Sequence, residues 1–209
     1  MPYVIGLTGG IGAGKSAAAG MLEELGAAIV DTDVIAHELT RAGGSAVDAI
    51  RDEFGAEYIG PDGGLHRARM RLLVFQDSGA KKRLEAILHP LIREQSRARI
   101  AAAARPYVVV VVPLLLETGA YGDLTDRVLV VDSTEEQQVE RVARRSGLTE
   151  DDVRAIMAAQ LPRALRLSRA DDVLTNDGGM EDLRDQVRRL HSKYLEMARQ
   201  ARSRDARKS

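Results

Sequence analysis

Apolar residues along the chain fall into two alternating rhythms. Short apolar runs stand at Val4–Thr8, Ala28–Val30, Val108–Val112, Val128–Val131 and Val173–Leu174. Each is brief, and turn-forming or acidic residues follow, which is the pattern of buried strands. Val108–Val112 is an unbroken valine run, apolar on both faces, and predicts a central strand covered on both sides. Between the runs the spacing becomes helical. Lys15–Leu25 is the first such stretch, with Gly26 as its stop. Val34–Leu39 is the second. A third runs from an N-cap at Ser133 or Thr134 to about Arg145. The last, Glu181–Arg199, carries Leu183, Val187, Leu190, Tyr194 and Met197 at helical spacing. Strands alternating with helices predict an α/β fold built on a five-stranded parallel sheet.

Two stretches break the alternation. Ser45–Ala104 is helical in pattern and too long for an ordinary crossover, so it predicts an inserted helical subdomain. Leu148–Ala170 is a second helical excursion, rich in arginine, before the last strand. No internal repeat stands out.

Composition narrows the picture. The 209 residues are 44% hydrophobic and 29% charged, ordinary values for a single globular unit. Aromatics are only 3%, so the core is aliphatic and the base-stacking platforms of single-strand binders are not expected. The net charge of −1 gives no global basic field for nucleic acid. From Arg199 onward the chain is locally basic, which reads as a solvated, frayed end. With no cysteine there is no thiol catalysis, disulfide or Cys-zinc site. The longest uncharged apolar run, Tyr107–Leu116, is too short to span a bilayer. No basic residue precedes Lys15, unlike a signal peptide. A soluble, cytoplasmic protein without nucleic-acid or membrane partners is the expectation.

The strongest chemical signal is Gly9-Gly10-Ile11-Gly12-Ala13-Gly14-Lys15-Ser16. It matches G-x-x-x-x-G-K-[ST] and lies between a predicted strand and a predicted helix, the context this phosphate loop requires. Successive backbone N–H groups must converge on a phosphate, and glycines leave room for them. The N-terminus of the following helix adds positive potential. Lys15 neutralises β/γ oxygens, and the Ser16 hydroxyl can ligate Mg²⁺. Gly12–Ala17 also fits a looser dinucleotide fingerprint, but the turn is too long and holds a lysine where the pyrophosphate would lie. A guanine-reading NKxD motif is absent, and the D-x-x-G at Asp52–Gly55 does not follow a strand. A small-molecule kinase fits best: a short chain, a helical insertion for the acceptor, and an arginine-rich lid.

Further candidates follow from position. Asp31-Thr32-Asp33 lies at the carboxyl edge of the second strand, where open α/β sheets place ligands. If that segment is extended, both carboxylates point one way. One can take the acceptor's proton and the other can order Mg²⁺-bound water. Either can instead cap the next helix. Arg141, Arg144 and Arg145 share one helix face and can clamp phosphoryl charge. Arg144 can pair with Glu140, which leaves Arg141 and then Arg145 as the lid candidates. His37 is isolated. His89 precedes Pro90, which predicts a helix edge or turn there. Glu117 follows the third strand and can reach the acceptor or remain a solvent-exposed loop acid.

The ordered set of segments resembles the dephospho-CoA kinase family over essentially the full length. The matching pieces are Gly6–Ser16, Asp31-Thr32-Asp33, Asp62-Gly63 with Arg67, and His89-Pro90-Leu91-Ile92. Further on come Val112–Leu115 with Glu117, Gln138 with Arg141 and Arg145, Gln160, and Ala170–Val173 with Asn176 and Gly178. The resemblance implies transfer of the ATP γ-phosphoryl to the ribose 3′-hydroxyl of dephospho-CoA, with Mg²⁺, in the last step of coenzyme A synthesis. It implies a P-loop kinase-type three-layer core (about 1–44, 105–147 and 171–209), an acceptor-binding insertion (about 45–104) and a mobile lid (about 141–170), acting as a monomer or small homo-oligomer. It makes Asp33 the general base, with Lys15 and Arg141 the other catalytic groups. Thr8 and Gly9 through Ala17 line the ATP phosphates. Asp31, Asp33, Arg67, His89 and Glu117 form the acceptor side, and Arg141 and Arg145 are lid residues. Ser16 holds Mg²⁺ directly and Asp31 holds it through water. Ala17 stands where many members carry Thr, and Thr32 where Ala is common.

Overall fold

A computed structural model of the chain describes residues 2–205. Two compact units divide it: Asp31–Arg99 forms one, and the segments on either side of it form the other.

The larger unit is built on β1 (Tyr3–Gly9), α1 (Lys15–Glu24) and β2 (Ala28–Asp31), with the intervening unit then supplying α2 (Thr32–Thr40), α3 (Val47–Phe54), a 3₁₀ turn at Ala56–Tyr58, α4 (Arg67–Gln76) and α5 (Ser78–Ala102). The chain returns as β3 (Tyr107–Val111), α6 (Leu115–Thr118), β4 (Arg127–Asp132), α7 (Glu135–Ser146), α8 (Glu150–Ala158), α9 (Arg163–Ser168), β5 (Asp172–Thr175) and α10 (Met180–Asp205). The sheet order is β2-β3-β1-β4-β5. The first strand is therefore central. It pairs in parallel with β3 (Ile5 opposite Val109, Leu7 opposite Val111) and with β4 (Leu7 opposite Leu129, Gly9 opposite Val131). This register stacks aliphatic side chains on both faces. All five residues of β3 are buried, as a run apolar on both faces requires. Ala18, Ala19 and Leu22 of α1 and Leu183, Val187 and Tyr194 of α10 cover one side. Three further residues, Val139 and Val142 of α7 with Val153 of α8, make a small second core.

The fold class follows the hydrophobic pattern; several local expectations do not hold. The second helix begins at Thr32, not Val34, because Asp31 caps it: Oδ1 accepts from the N–H groups of Asp33 and Val34 at 2.8 and 3.2 Å. The Asp31-Thr32-Asp33 segment is thus not extended, and the two carboxylates do not share a direction by strand alternation. His89 is not at a helix edge either. The 25-residue α5 runs through Pro90. That proline removes one helical hydrogen bond, to the Ala86 carbonyl, at a cost of ~3 kcal/mol. Ala86, His89 and Pro90 are all exposed, so water can serve the released carbonyl. Contacts on both sides of the proline hold the helix: Arg83 pairs with Glu53 at 2.7 Å, and Arg99 pairs with Glu38. The final helix continues past Arg199 to Asp205, taking Arg202 and Arg204 with it. The rest of the basic tail, 206–209, lies outside the described residues. No described helix is long and apolar enough to cross a membrane.

One polar cluster ties the last strand to the last helix. Asp172, with its side chain 6% exposed, accepts from Arg127 Nε at 2.9 Å, Lys193 Nζ at 2.5 Å and Tyr194 Oη at 3.1 Å. Burial pushes its carboxyl up, but the hydrogen bonds from Lys193 and Arg127 outweigh this and hold it below the usual carboxylate range. A depressed folded-state pKa contributes stability that is present above about pH 4 and lost as pH falls through the lowered value. Asp172→Asn leaves Arg127 poorly compensated. It is expected to lower Tm by roughly 5–10 °C, about 2–3 kcal/mol, and to flatten the acid limb of a Tm-versus-pH curve. Thermal melts from pH 3 to 8 check this.

Candidate active site

The turn between β1 and α1 is a glycine-rich loop with several positive φ angles. Two of its glycines are required by geometry. Gly12 has φ +73°, and a Cβ there would stand 2.7 Å from the Gln138 carbonyl oxygen. Gly14 has φ +103°, and a Cβ there would stand 2.2 Å from Asn176 Nδ2. Gly14 is also the N-cap of α1 and, lacking a side chain, supplies no cap of its own. By helix geometry the N–H groups of the first turn point out of the N-terminal end of α1, and the helix dipole adds to them. Ser16 and Ala17 are exposed in that first turn. Lys15 Nζ donates to the carbonyls of Gly9 and Gly10 at 2.8 and 3.0 Å, so its ammonium lies over the loop mouth. Thr8 is fully buried, and its hydroxyl donates to the Pro113 carbonyl at 3.1 Å, tying β1 to the turn after β3.

Side chains distant in sequence hold the loop in shape. Asn176, just past β5, donates from Nδ2 to the Ala13 carbonyl at 2.8 Å. Its own carbonyl accepts from Arg141 Nη2 at 2.9 Å, while Arg141 Nη1 is buried without a partner among the described residues. The Ile11 N–H donates to Gln160 Oε1 at 3.0 Å. The next residue, Leu161, donates its N–H to Glu117 Oε1 at 3.0 Å. Glu117 is therefore half-buried on α6, not a solvent-exposed loop acid, and its Oε2 is buried without a partner among the described residues. Arg163 closes a two-pronged pair on Asp132 at the end of β4, at 2.8 and 2.6 Å. The hydrogen bond to Asp132 raises the Arg163 pKa against the opposing effect of burial. Arg145 is exposed in the last turn of α7. The loop, Arg141, Glu117 and the Gln160–Arg166 stretch thus belong to one continuous hydrogen-bonded arrangement.

In the smaller unit, Asp31 caps α2 and the exposed Asp33 sits in its first turn. Arg67 meets the other end of that nine-residue helix, donating from Nη2 to Thr40 Oγ1 at 2.8 Å. Asp33 therefore lies about 10 Å along the axis from Thr40, the residue that Arg67 bonds. His89 is exposed midway along α5.

A family model described as "Dephospho-CoA kinase" matches residues 3–182. The chain belongs to the dephospho-CoA kinase family. It is 55% identical over 195 residues to the dephospho-CoA kinase of Nitrosospira multiformis, covering 93% of this chain and 98% of that one. It is 56% identical over 196 residues to that of Thiobacillus denitrificans, covering 94% and 97%. Among solved structures, a Thermus thermophilus protein superposes with a TM-score of 0.79 at 34% identity, covering 92% of this chain and 97% of that one. Membership brings the activity of a dephospho-CoA kinase, the final step of coenzyme A biosynthesis.

Against that activity, the geometry adds residues whose roles the sequence does not display. Gln160 and Asn176 stand in the family's pattern, yet their function as loop braces shows only in three dimensions, as does the packing of Gln138 against Gly10 and Gly12. Asp132 with Arg163 and the buried Arg166 give no signal in the chain: each is one charged residue among many.

Proposed function

We propose that the chain transfers the γ-phosphoryl of ATP to the ribose 3′-hydroxyl of dephospho-CoA, releasing ADP. The observation that carries this reading is the braced loop: an uncapped helix N-terminus and a lysine facing one opening, fixed by Asn176 and Gln160. The loop from Gly9 to Ala17 lines the donor's phosphates, with its Ile11 and Ala13 N–H groups spent on holding its shape, and Thr8 holds the strand beneath them. Lys15 and Arg141 stabilise charge on the transferred group, with the buried, unpartnered Nη1 of Arg141 available to an oxygen. Arg145, on the exposed side of α7, joins them when the lid (about 141–170) closes and excludes water.

Asp33 takes the acceptor proton. It is an exposed residue in the first turn of α2, at the carboxyl edge of the second strand. Arg67, His89 and Glu117 serve the acceptor side, Glu117 through Oε2. The helical insertion binds the acceptor, and the protein acts as a monomer or small homo-oligomer. The donor set suits Mg²⁺: the exposed Ser16 hydroxyl and the Asp31 carboxylate are hard oxygen ligands, Asp31 through water because Oδ1 already caps α2. When bound, the ion neutralises charge on the phosphate oxygens.

A coupled ADP-release assay with and without Mg²⁺, across dephospho-CoA, nucleosides, simple sugars and shikimate, tests the reading. Turnover is expected with dephospho-CoA alone and only with Mg²⁺. Faster turnover on another acceptor overturns the substrate assignment.

A further inference from the structure

We infer that Arg166 is a further catalytic residue, which contacts the transferred phosphoryl beside Lys15 and Arg141. It is 7% exposed, although a guanidinium is among the groups most costly to remove from water. A cation buried to that extent is usually matched by a carboxylate. Arg166 has none among the described residues. Its Nη1 donates to the Leu161 carbonyl, and its Nη2 turns toward the phosphate loop. A Cβ placed on Gly10 would stand 3.0 Å from that Nη2, so the guanidinium is packed against the loop's second glycine. The same point lies 2.5 Å from Gln138 Oε1, a buried oxygen without a partner among the described residues.

The neighbouring arginines make the contrast clear. Arg163 is neutralised by Asp132. Arg127 is neutralised by Asp172. Arg141 and Arg166 alike are held by carbonyl oxygens; Arg141 Nη1 is buried without a partner among the described residues, and Arg166 Nη2 lies against Gly10 of the loop. Leu161, which orients Arg166, is itself held by Glu117, and Gln160 before it is bonded to Ile11 of the loop. Arg166 also lines a cavity of about 330 Å³ with Gln160, Arg154 and Arg163. The short stretch from Gln160 to Arg166 thus delivers one unneutralised positive charge to the loop, aimed by two independent anchors. A polyanion entering the loop supplies the missing counter-charge.

This deepens the phosphoryl-transfer reading and rests on it. In the step, the bond between the ribose 3′-oxygen and the γ-phosphorus forms and the bond from that phosphorus to the β,γ-bridging oxygen breaks. The hydroxyl proton passes to Asp33, and ADP leaves with the bridging electron pair. Arg166 donates to the transferred group's oxygens during that exchange and so reads the γ-phosphate specifically.

The test uses the full chain carrying Arg166→Gln and, separately, Arg166→Lys. Calorimetry with Mg²⁺ compares binding of β,γ-imido-ATP and of ADP, and steady-state assays give kcat and KM. Arg166→Gln is expected to weaken the triphosphate analogue about tenfold or more and to leave ADP within about twofold. It is also expected to lower kcat at least ~10²-fold. Arg166→Lys, which keeps the charge but not the fork, is expected to recover part of both losses and carries the test alone if the glutamine variant does not fold. Equal losses for both nucleotides, or no loss with kcat within about threefold of the parent, overturns the inference. The binding arm needs no acceptor. A parent protein that fails to phosphorylate dephospho-CoA while Arg166 still discriminates ATP from ADP would defeat the functional reading and leave this inference standing.

Discussion

Lys15→Met is expected to lower kcat at least ~10³-fold with little change in Tm. The effect is large because the ammonium has no substitute at the loop mouth. Its Nζ lies 2.8 and 3.0 Å from the Gly9 and Gly10 carbonyls, and on the proposed reading it is the cation that meets the charge on the β/γ oxygens during transfer. Arg141 and Arg166 approach from the α7 and α9 side and are themselves fixed by carbonyls, so neither can move in to replace it. Stability is expected to be nearly unaffected because Lys15 is only half-buried and methionine keeps a similar aliphatic length. Steady-state kinetics with parallel thermal melts check this. A loss of activity matched by a comparable loss of folded protein would mean that Lys15 serves the loop's structure rather than the reaction.

Asp33→Asn is expected to reduce turnover at least ~10²-fold while ATP binding stays within about twofold of the parent. Asparagine preserves shape but cannot accept the hydroxyl proton. Asp31 is a weak stand-in, since its Oδ1 already accepts two N–H groups as the cap of α2. Asp31→Asn separates the two acids: it can still cap the helix and is expected to cost far less in kcat. Near-normal turnover of Asp33→Asn, with Asp31→Asn the more damaged variant, would move the base to Asp31. Nucleotide binding by calorimetry and kcat by ADP release supply both readings.

The parts of this enzyme visible in its sequence are those fixed by local physics. Strands buried on both faces announce themselves as valine runs. The phosphate loop announces itself because positive φ at Gly12 and Gly14, and the close approach of Gln138 and Asn176, admit only glycine. The misread segments are those where two local signals compete. Asp31 followed by Thr32 can extend a strand or cap a helix, and the cap prevailed through two hydrogen bonds to Oδ1. His89-Pro90 carries a strong helix-ending signal, yet tertiary contacts at Arg83 and Arg99 keep α5 continuous. What stayed hidden is what long-range pairing alone determines. Gln160 is 149 positions from Ile11, and Asn176 is 163 from Ala13. Arg166 is one arginine among several in its stretch; only its burial, with no carboxylate beside it among the described residues, sets it apart.

Transfer of label from [γ-³²P]ATP to dephospho-CoA by the unmodified chain tests the central claim most directly. Coenzyme A labelled in its ribose 3′-phosphate should appear in step with ADP, one for one. ADP formed alongside labelled inorganic phosphate, with the acceptor unlabelled, would contradict it.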